Sequence, residues 1–465
     1  MNVKARACQF QRRRAQEQTK QMDTNEFFNL LTSPELFDVL EQHLPEHRER
    51  RYPPTETLSM FLSQAMSADR SCQNVVNTSE VKRAVAGLPR QNTYTGSYCK
   101  ARQRLPAELI KALARHTGQA LGKITPREWL WQGRPVKLID GTTVTMPDTE
   151  TNQAVYPQQR NQQPGLGFPI CRVLGVVCLA SGCIVDAAMG PYRGKGGSEH
   201  GLLRQVVDSF LAGDIVIGDA IYCSYFMLAD LKQRGVDAVF EQNGSRRKST
   251  DFRRGKRLGE NDHLVIYHKP KLKPDWMSED AYDQVPDTIE IRELKVGEKI
   301  LVTTLLSEEQ ATKSALKWLY KNRWHVELDL RNIKTTLGME ILSCKSPEMA
   351  EKEIWVYFLA YNLIRLVMAQ SAKLADLLPR QISFKHTLQI WLAYRQVNVE
   401  YEESLSELCV LIAENTVGNR PGRIEPRAVK MRPKPYPLLM KPRVEAQESI
   451  RINGHPKKQK YGQQP

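Results

Sequence analysis

The segment PVKLIDGTTVTM, residues 135–146, decides the fold of this chain. Its apolar and β-branched side chains predict a strand that carries the carboxylate of Asp140 inside it. The segments ICRVLGVVCLA (170–180) and CIVDAAMG (183–190) predict two more strands, joined by Ser181 and Gly182. Three successive strands with so tight a connection predict an antiparallel meander.

Helix and strand alternate after the meander. Ser198 is placed to cap a helix that turns one apolar face, from Leu202 to Phe210, inward. DIVIGD (214–219) predicts a short buried strand that ends in Asp219, and a helix at 222–234 leads to a further strand, VDAVFEQ. Because short connections of this kind favour parallel pairing in a buried sheet, the predicted fold class is α/β with a mixed sheet.

The flanking regions have other patterns. Apolar residues recur at helical spacing from about 25 to 123, and two basic clusters there, at 47–51 and 100–104, face either DNA phosphates or only solvent. Residues 243–299 are punctuated by Gly and Pro and predict a β-rich insertion. KILVTTLL (299–306) then resumes a core strand.

The C-terminal third is predicted to be helical and then basic. Residues 307–338 predict one long helix with an acidic first turn and a stop at Gly338. Two apolar helices are predicted near 348–370 and 382–397. The tail from Gly418 is rich in Pro and basic residues, so we expect no core of its own there.

Length and charge limit the classes of function. With 465 residues the chain is long enough for two or three domains, which excludes a single small binding module. It has 67 Lys and Arg against 52 Asp and Glu, a net charge of +15, and 41% of its residues are hydrophobic. The excess of positive charge favours a polyanionic partner such as nucleic acid, and a merely basic enzyme is the alternative.

The nine cysteines are scattered, with no CxxC pair and no His at zinc-ligand spacing. This pattern argues against a structural metal or a disulfide framework and favours a reducing compartment. No segment has the apolar length of a signal peptide or of a membrane-spanning helix, so we expect no membrane partner.

Three carboxylates, Asp140, Asp219 and Glu327, have unusual positions. An Asp within an apolar strand is costly to bury unless it is paired or binds a cation. If the two strands are parallel neighbours, Asp140 and Asp219 meet at one edge of the sheet, and a helix beside that edge adds Glu327. Oxygen ligands of this kind suit Mg²⁺ or Mn²⁺ and two-metal phosphodiester chemistry. The alternative for each Asp alone is to cap a turn.

One face of the predicted helix around Glu327 carries an aromatic ring, two cations and a carboxylate. Tyr320, Arg323, Glu327 and Lys334 lie at offsets of 0, 3, 7 and 14, which fall within an arc of about 60°. Either the charges form an intrahelical ladder of ion pairs, or the cations hold phosphates while the carboxylate holds metal and Tyr320 contacts DNA.

These residues resemble a family. Tyr320, Arg323, Glu327 and Lys334 match the Tyr-x2-Arg-x3-Glu-x6-Lys signature of the bacterial insertion-sequence-four family of DDE transposases. LIDGTTVTMPDT, PGLGFPICRVLG, DAAMGPYRGKGGSEHGLLR and EPRAVKMRPKPYPLLMKPR are similar to segments of the same family. The resemblance covers about 135–440.

The resemblance implies an RNase H-like catalytic core with a β-rich insertion. It assigns Asp140, Asp219 and Glu327 as catalytic residues and ligands of Mg²⁺, for which Mn²⁺ substitutes. The implied organisation is a helical DNA-binding region (1–125), the core (126–243 and 299–372), the insertion (244–298) and a helical, then basic C-terminal region (373–465).

The resemblance also implies a DNA reaction. Such an enzyme binds the inverted-repeat ends of its own element, cleaves them through a hairpin, and joins the freed 3′-hydroxyls to target DNA as a homodimer. Its place is the bacterial cytoplasm, at the nucleoid. Tyr320, Arg323 and Lys334 would hold the terminal nucleotides. The other expected DNA contacts lie in the insertion: Arg246, Arg247, Arg253, Arg254 and Trp276.

The sequence also raises expectations for two tryptophans. In some relatives a Trp of the insertion stacks on a flipped base, and Trp276 is the candidate for this role here. The alternative is a position in the core. Trp324, adjacent to Arg323 in the sequence, is expected to pack.

One departure from the family opens a second hypothesis. The residue after the second Asp is often Arg in this family, and here it is Ala220. A catalytically impaired, sequence-specific DNA-binding protein is therefore an alternative to an active transposase. A general RNase H-like nuclease is a third hypothesis, which the basic insertion makes weaker.

Overall fold

A computed structural model describes residues 34–44, 51–89, 91–194, 196–244, 250–395, 402–418 and 441–454. The strands are β1 Val136–Thr145, β2 Ile170–Cys178, β3 Ile184–Pro191, β4 Ile215–Gly218, β5 Asp237–Glu241, β6 Lys256–Gly259, β7 Asp262–His268, β8 Thr288–Val296 and β9 Lys299–Thr303. They form one nine-stranded mixed sheet in the order β3-β2-β1-β4-β5-β9-β8-β7-β6.

Helices cover both faces of this sheet. The α-helices are α1 Pro34–His43, α2 Pro54–Met66, α3 Cys72–Val85, α4 Gly96–Arg104, α5 Ala107–Lys123, α6 Glu150–Val155, α7 Glu199–Val206, α8 Tyr225–Gln233, α9 Glu279–Gln284, α10 Lys313–Lys321, α11 Trp324–Arg331, α12 Pro347–Leu374, α13 Phe384–Tyr394, α14 Glu402–Ala413 and α15 Arg443–Asn453. The mixed α/β class predicted from the sequence is confirmed.

The pairing within the core follows the predicted pattern. β2 pairs with β1 and with β3 in antiparallel fashion, so the predicted meander is confirmed. β4 is parallel to both β1 and β5, as the alternation of helix and strand predicts. Ser198 accepts a hydrogen bond from the backbone N–H of Gly201 and caps α7, also as predicted.

The sheet separates two apolar layers because successive side chains of a strand point to opposite faces. Leu138 of β1 packs in the layer that contains α5, α11 and α12, whereas the next residue, Ile139, packs in the layer of α7 and α8. The N-terminal helices join the first layer closely. Asn362 of α12 donates to the carbonyls of Ala114 in α5 and Ile184 in β3.

The insertion continues the sheet of the core. β6, β7 and β8 form an antiparallel meander, and β8 pairs with β9 across a turn at Gly297, whose φ of 61° suits glycine. The predicted β-rich character of this segment is thus present, in the form of three further strands on the shared sheet.

The prediction of one long helix over 307–338 is wrong. Helix α10 begins only after its cap, Thr312, so the acidic residues Glu308 and Glu309 lie outside it, and the helix is interrupted at Asn322 and Arg323 before α11. Asn322 donates to the carbonyl of Trp318, and a side-chain amide that bonds backbone carbonyls weakens a helix. A π-helical turn, Asn332–Thr336, follows α11, and Gly338 at φ 91° ends the segment as predicted.

The two predicted apolar helices correspond to α12 and α13. Most side chains of α12 are buried, which makes it the central helix of the molecule. None of the helices within the described ranges is both long and apolar enough to span a bilayer. The described part of the basic tail is α15, which contacts the body through an ion pair between Arg443 and Asp148 at 2.7 Å.

Candidate active site

The register of two parallel strands brings two of the predicted acids together. The last β1–β4 pair joins Leu138 to Ile217. The same offset places Asp140, two residues further along β1, opposite Asp219, which follows β4 directly. Neighbouring strands lie about 4.8 Å apart, so both carboxylates arise at one edge of the sheet.

Each Asp also makes a local hydrogen bond. The backbone N–H of Gly141 donates to Asp140 at 2.9 Å, and that of Ile221 donates to Asp219 at 2.9 Å. The second contact is the turn cap that the sequence left open as an alternative for an isolated Asp. It occupies one oxygen of Asp219 and leaves the other for a further ligand.

The third acid, Glu327, lies on α11 and lines the same cleft as Asp140. An open cleft of about 270 Å³ has Asp140, Thr142, Glu327, Arg331, Lys334 and Glu340 in its lining. Arg323 donates to Glu327 at 2.7 Å, so the intrahelical ion pair considered for this helix is present.

The three acids influence one another. Burial raises the pKa of Asp140 to about 6; the hydrogen bond from Gly141 and the charge of Arg323 oppose this rise, and the charges of Asp219 and Glu327 add to it. Burial of the carboxyl group is therefore the main cause of the raised pKa of Asp140, and the charges of the two other acids contribute less.

A hard divalent cation suits this donor set. Across the part of the chain that the structure describes, no group of three or more His, Cys, Asp or Glu side chains is already arranged to hold a metal ion. Glu327 is turned to Arg323 instead. The paired positions of Asp140 and Asp219, and the raised pKa of Asp140, nevertheless fit an oxygen-liganded ion that would neutralise both carboxylates.

Comparison with known proteins identifies the family of this site. A family model described as a transposase DDE domain matches residues 131–363, from just before β1 into α12. The chain belongs to this family. The match contains Asp140, Asp219 and Glu327, and membership indicates transposase function.

Two relatives from Escherichia coli strain K12 extend the match. The chain is 26% identical over 408 residues to the transposase InsG of insertion sequence element IS4, an alignment that covers 85% of this chain and 89% of the relative. It is 26% identical over 137 residues to the putative transposase InsZ, covering 29% of this chain and 45% of that protein. The resemblance to insertion-sequence-four transposases is confirmed.

A solved structure is distantly similar. It is the cryo-EM structure of a piggyBac transposase synaptic complex with hairpin DNA, which superposes with a TM-score of 0.41 at 10% identity, covering 87% of each chain. This likeness is too weak to support an argument.

The signature residues of the transposase do not form one continuous stripe. Tyr320 ends up buried on α10, where its hydroxyl donates to Glu241 at 3.2 Å. Lys334 lies in the π-helical turn and lines the cleft. The break at Asn322 and the π-helical turn change the angular spacing that an unbroken helix would give, and Lys334 lines the cleft whereas Tyr320 lies outside its lining.

The predicted DNA contacts of the insertion differ in their surroundings. Arg253 and Arg254 are exposed, and both pair with Asp251, at 2.8 and 3.5 Å. Arg246 and Arg247 lie outside the described residues.

In the N-terminal region, Arg102 of the basic cluster at 100–104 is buried over the rings of Phe61 and Tyr98, so it cannot contact phosphates as the run suggested.

Two tryptophans are more exposed than the sequence indicated. Trp276 is 48% exposed, which contradicts a core position, and Arg204 lies 3.9 Å above its ring. Trp324 is 56% exposed, so the expectation that it packs is wrong. Trp324 is the first residue of α11, directly after the break.

A further acid, Glu199, was missed from the sequence. A Cβ on Gly141 would lie 2.6–2.9 Å from the Glu199 carboxyl group, so this carboxyl sits directly against the residue after Asp140. The buried Tyr222, three residues after Asp219, donates to Glu199 at 3.0 Å. The signal was present in the sequence as an Asp-Gly pair inside a strand, where glycine marks close approach of another group.

Proposed function

We propose that this transposase binds the inverted-repeat ends of its own insertion sequence, cleaves them by metal-dependent phosphodiester hydrolysis and transesterification through a hairpin, and joins the 3′-hydroxyl ends to target DNA. Double-stranded DNA is the proposed partner, and a homodimer would hold two ends together. The setting proposed for this reaction is the cytoplasm, at the nucleoid.

The observation that carries this proposal is the register that sets Asp140 opposite Asp219, with Glu327 across the same edge. We propose that β3-β2-β1-β4-β5 and the helices on both faces form an RNase H-like core, with β6 to β8 as its insertion. In such an arrangement the carboxyl ends of parallel strands are where open α/β sheets bind ligands.

Asp140, Asp219 and Glu327 would hold Mg²⁺, or Mn²⁺ in its place. When bound, two such ions would activate the attacking oxygen and stabilise the leaving oxygen of the phosphodiester. Glu327 would join the two aspartates by exchanging Arg323 for a metal ion. Arg323 would then be free to contact a phosphate oxygen, for which its planar guanidinium is suited.

A cation of the cleft, together with exposed rings and cations elsewhere, would hold the DNA end. Lys334 lines the cleft beside Asp140, where it would bind a phosphate next to the cleaved bond. Trp324 and Trp276 expose aromatic surface on which an unpaired base can stack, and Arg253 and Arg254 extend the positive surface along the insertion.

Cleavage of the element ends tests this function. In Mn²⁺ or Mg²⁺, Asp140→Asn, Asp219→Asn and Glu327→Gln should each lose strand cleavage by at least about a thousandfold while retaining DNA binding, because they remove metal ligands only. Glu340→Gln is the matched control, since Glu340 lies in the same cleft outside the proposed set, and it should cleave normally.

Two results would contradict the proposal in different ways. Full cleavage by any one of the three variants would reject that residue as a ligand. Binding of the ends by the wild-type protein without any nicking in Mn²⁺ would favour the second candidate, a catalytically impaired DNA-binding protein, for which Ala220 is the motivation.

A further inference from the structure

Glu327 is carried by a short helix between two irregular turns. α11 has 8 residues, follows the break at Asn322 and Arg323, and continues into a π-helical turn. Contacts of α11 with its neighbours therefore have to fix its rotation and its depth. Asp329 lies two residues after Glu327, which at about 100° per residue places it on the opposite face of α11.

That opposite face is held by a buried cluster of charges. Asp329 is fully buried, and the hydroxyl of Tyr361 donates to its Oδ1 at 2.9 Å. Arg365 also donates to Oδ1, and Nη2 of Arg380 pairs with Oδ2 at 2.9 Å. Tyr361 and Arg365 belong to α12, so the carboxylate connects the helix of Glu327 to the central helix of the molecule.

The same cluster reaches the sheet that carries the first Asp. Arg380 donates to the carbonyl of Leu179 and to that of Cys178 at 3.1 Å, where β2 ends. A Cβ on Gly182, in the turn from β2 to β3, would lie 2.8 Å from the guanidinium carbon of Arg365. β2 is the direct neighbour of β1 and therefore of Asp140.

We propose that Asp329 is a positioning residue, which fixes α11 so that Glu327 faces Asp140 and Asp219. This inference rests on the proposed function for its catalytic meaning. A fully buried ion pair is a poor way to gain stability, because the desolvation of the charges offsets their attraction. It does fix geometry, since a carboxylate held from three directions has one orientation.

The fold offers a matched control for this cluster. Asp262 of β7 and Arg292 of β8 form an equally buried pair, with contacts of 2.7 and 2.6 Å, in the insertion part of the sheet. Asp262→Asn and Asp329→Asn each remove one buried charge; the first leaves Arg292 in place, and the second leaves Arg365 and Arg380. Only Asp329 lies on the helix of Glu327.

The test compares these two variants in the full-length protein. Cleavage of element ends is measured per folded molecule, and hydrogen–deuterium exchange is measured for the amides of 324–336. Asp329→Asn should lose cleavage at least about tenfold and exchange faster in 324–336, because displacement by about 1 Å is enough to impair catalysis. Asp262→Asn should change neither measurement by more than about twofold.

Equal cleavage and equal exchange at 324–336 in both variants would overturn the inference. Arg380→Gln, which removes one of the two cations and keeps the carboxylate, replaces Asp329→Asn if that variant does not fold and should show the same two effects. If the wild-type protein itself does not cleave, the proposed function fails, but the exchange of 324–336 still decides whether Asp329 holds α11.

Discussion

Arg323 and Glu327 form an ion pair at 2.7 Å one turn apart, so the acid proposed as the third metal ligand is already paired with a cation of its own chain. The pair also affects Asp140: the charge of Glu327 raises the pKa of Asp140, and the charge of Arg323 lowers it. Metal binding and ion pairing therefore compete for the same carboxylate, and DNA phosphate is the other partner that Arg323 could take.

This competition predicts the effect of Arg323→Gln on metal binding. Without the guanidinium, Glu327 is free, and the Mn²⁺ concentration that gives half-maximal thermal stabilisation should fall about three- to tenfold, as expected for a partly exposed charge-assisted contact. Cleavage should nevertheless decrease, because the proposed phosphate contact is lost. Thermal denaturation in a Mn²⁺ titration measures the first effect, and Lys321→Gln, an exposed cation at the end of α10, is the control.

A higher Mn²⁺ requirement in Arg323→Gln would contradict this competition. It would mean that Arg323 orients Glu327 for the metal rather than withholding it.

The raised pKa of Asp140 predicts how stability depends on pH. The pKa of Asp140 is about 6 in the folded protein, against an ordinary value of 3.8. The folded state therefore binds more protons than the unfolded state between about pH 4 and 6. Stability therefore falls as the pH rises through this window, and above pH 6 the full cost of the buried charge is present.

Asp140→Asn removes that charge and keeps an acceptor for the Gly141 N–H. We expect it to be more stable than the wild-type protein at pH 7.5, by up to about 3 kcal/mol, and nearly equal to it at pH 4. Urea denaturation at both pH values without divalent metal measures the difference. A difference that is independent of pH would show that Asp140 is not the group responsible.

The strands of the core were predictable because their patterns are local. Each of β1 to β5 is a short apolar run with a turn signal at its end, and the alternation with helices indicates which pairs are parallel. The convergence of Asp140 and Asp219 follows from parallel pairing together with the position of each Asp in its strand. Both features can be read from the sequence without tertiary information.

The helix of Glu327 was not predictable in the same way. Its apolar spacing continues through Asn322, so the pattern gives no sign of the break, where Asn322 donates to the carbonyl of Trp318. On either side of this break, Tyr320 is buried and Trp324 is exposed, and the helical spacing alone does not distinguish these two environments. The burial of Arg102 in a basic run is a similar case, since two aromatic rings from different helices decide it.

The contact between Gly141 and Glu199 predicts a steric effect beside the proposed catalytic centre. In Gly141→Ala the new methyl group would come within 2.6–2.9 Å of a carboxyl group that Tyr222 holds in place, so either Glu199 or β1 must move. We expect a loss of about 1–3 kcal/mol in unfolding free energy and reduced cleavage, because β1 carries Asp140. Gly96→Ala, with open space around its Cβ, should change neither.

A second substitution shows whether Glu199 is the cause. In Gly141→Ala/Glu199→Ala the obstructing carboxyl group is gone, so the double variant should regain at least half of the stability that Gly141→Ala loses, which is a non-additive result expected only for residues in contact. Chemical denaturation of the two single variants and the double variant completes the cycle. Strictly additive losses would mean that the Glu199 carboxyl group is not the obstacle that the new methyl group meets.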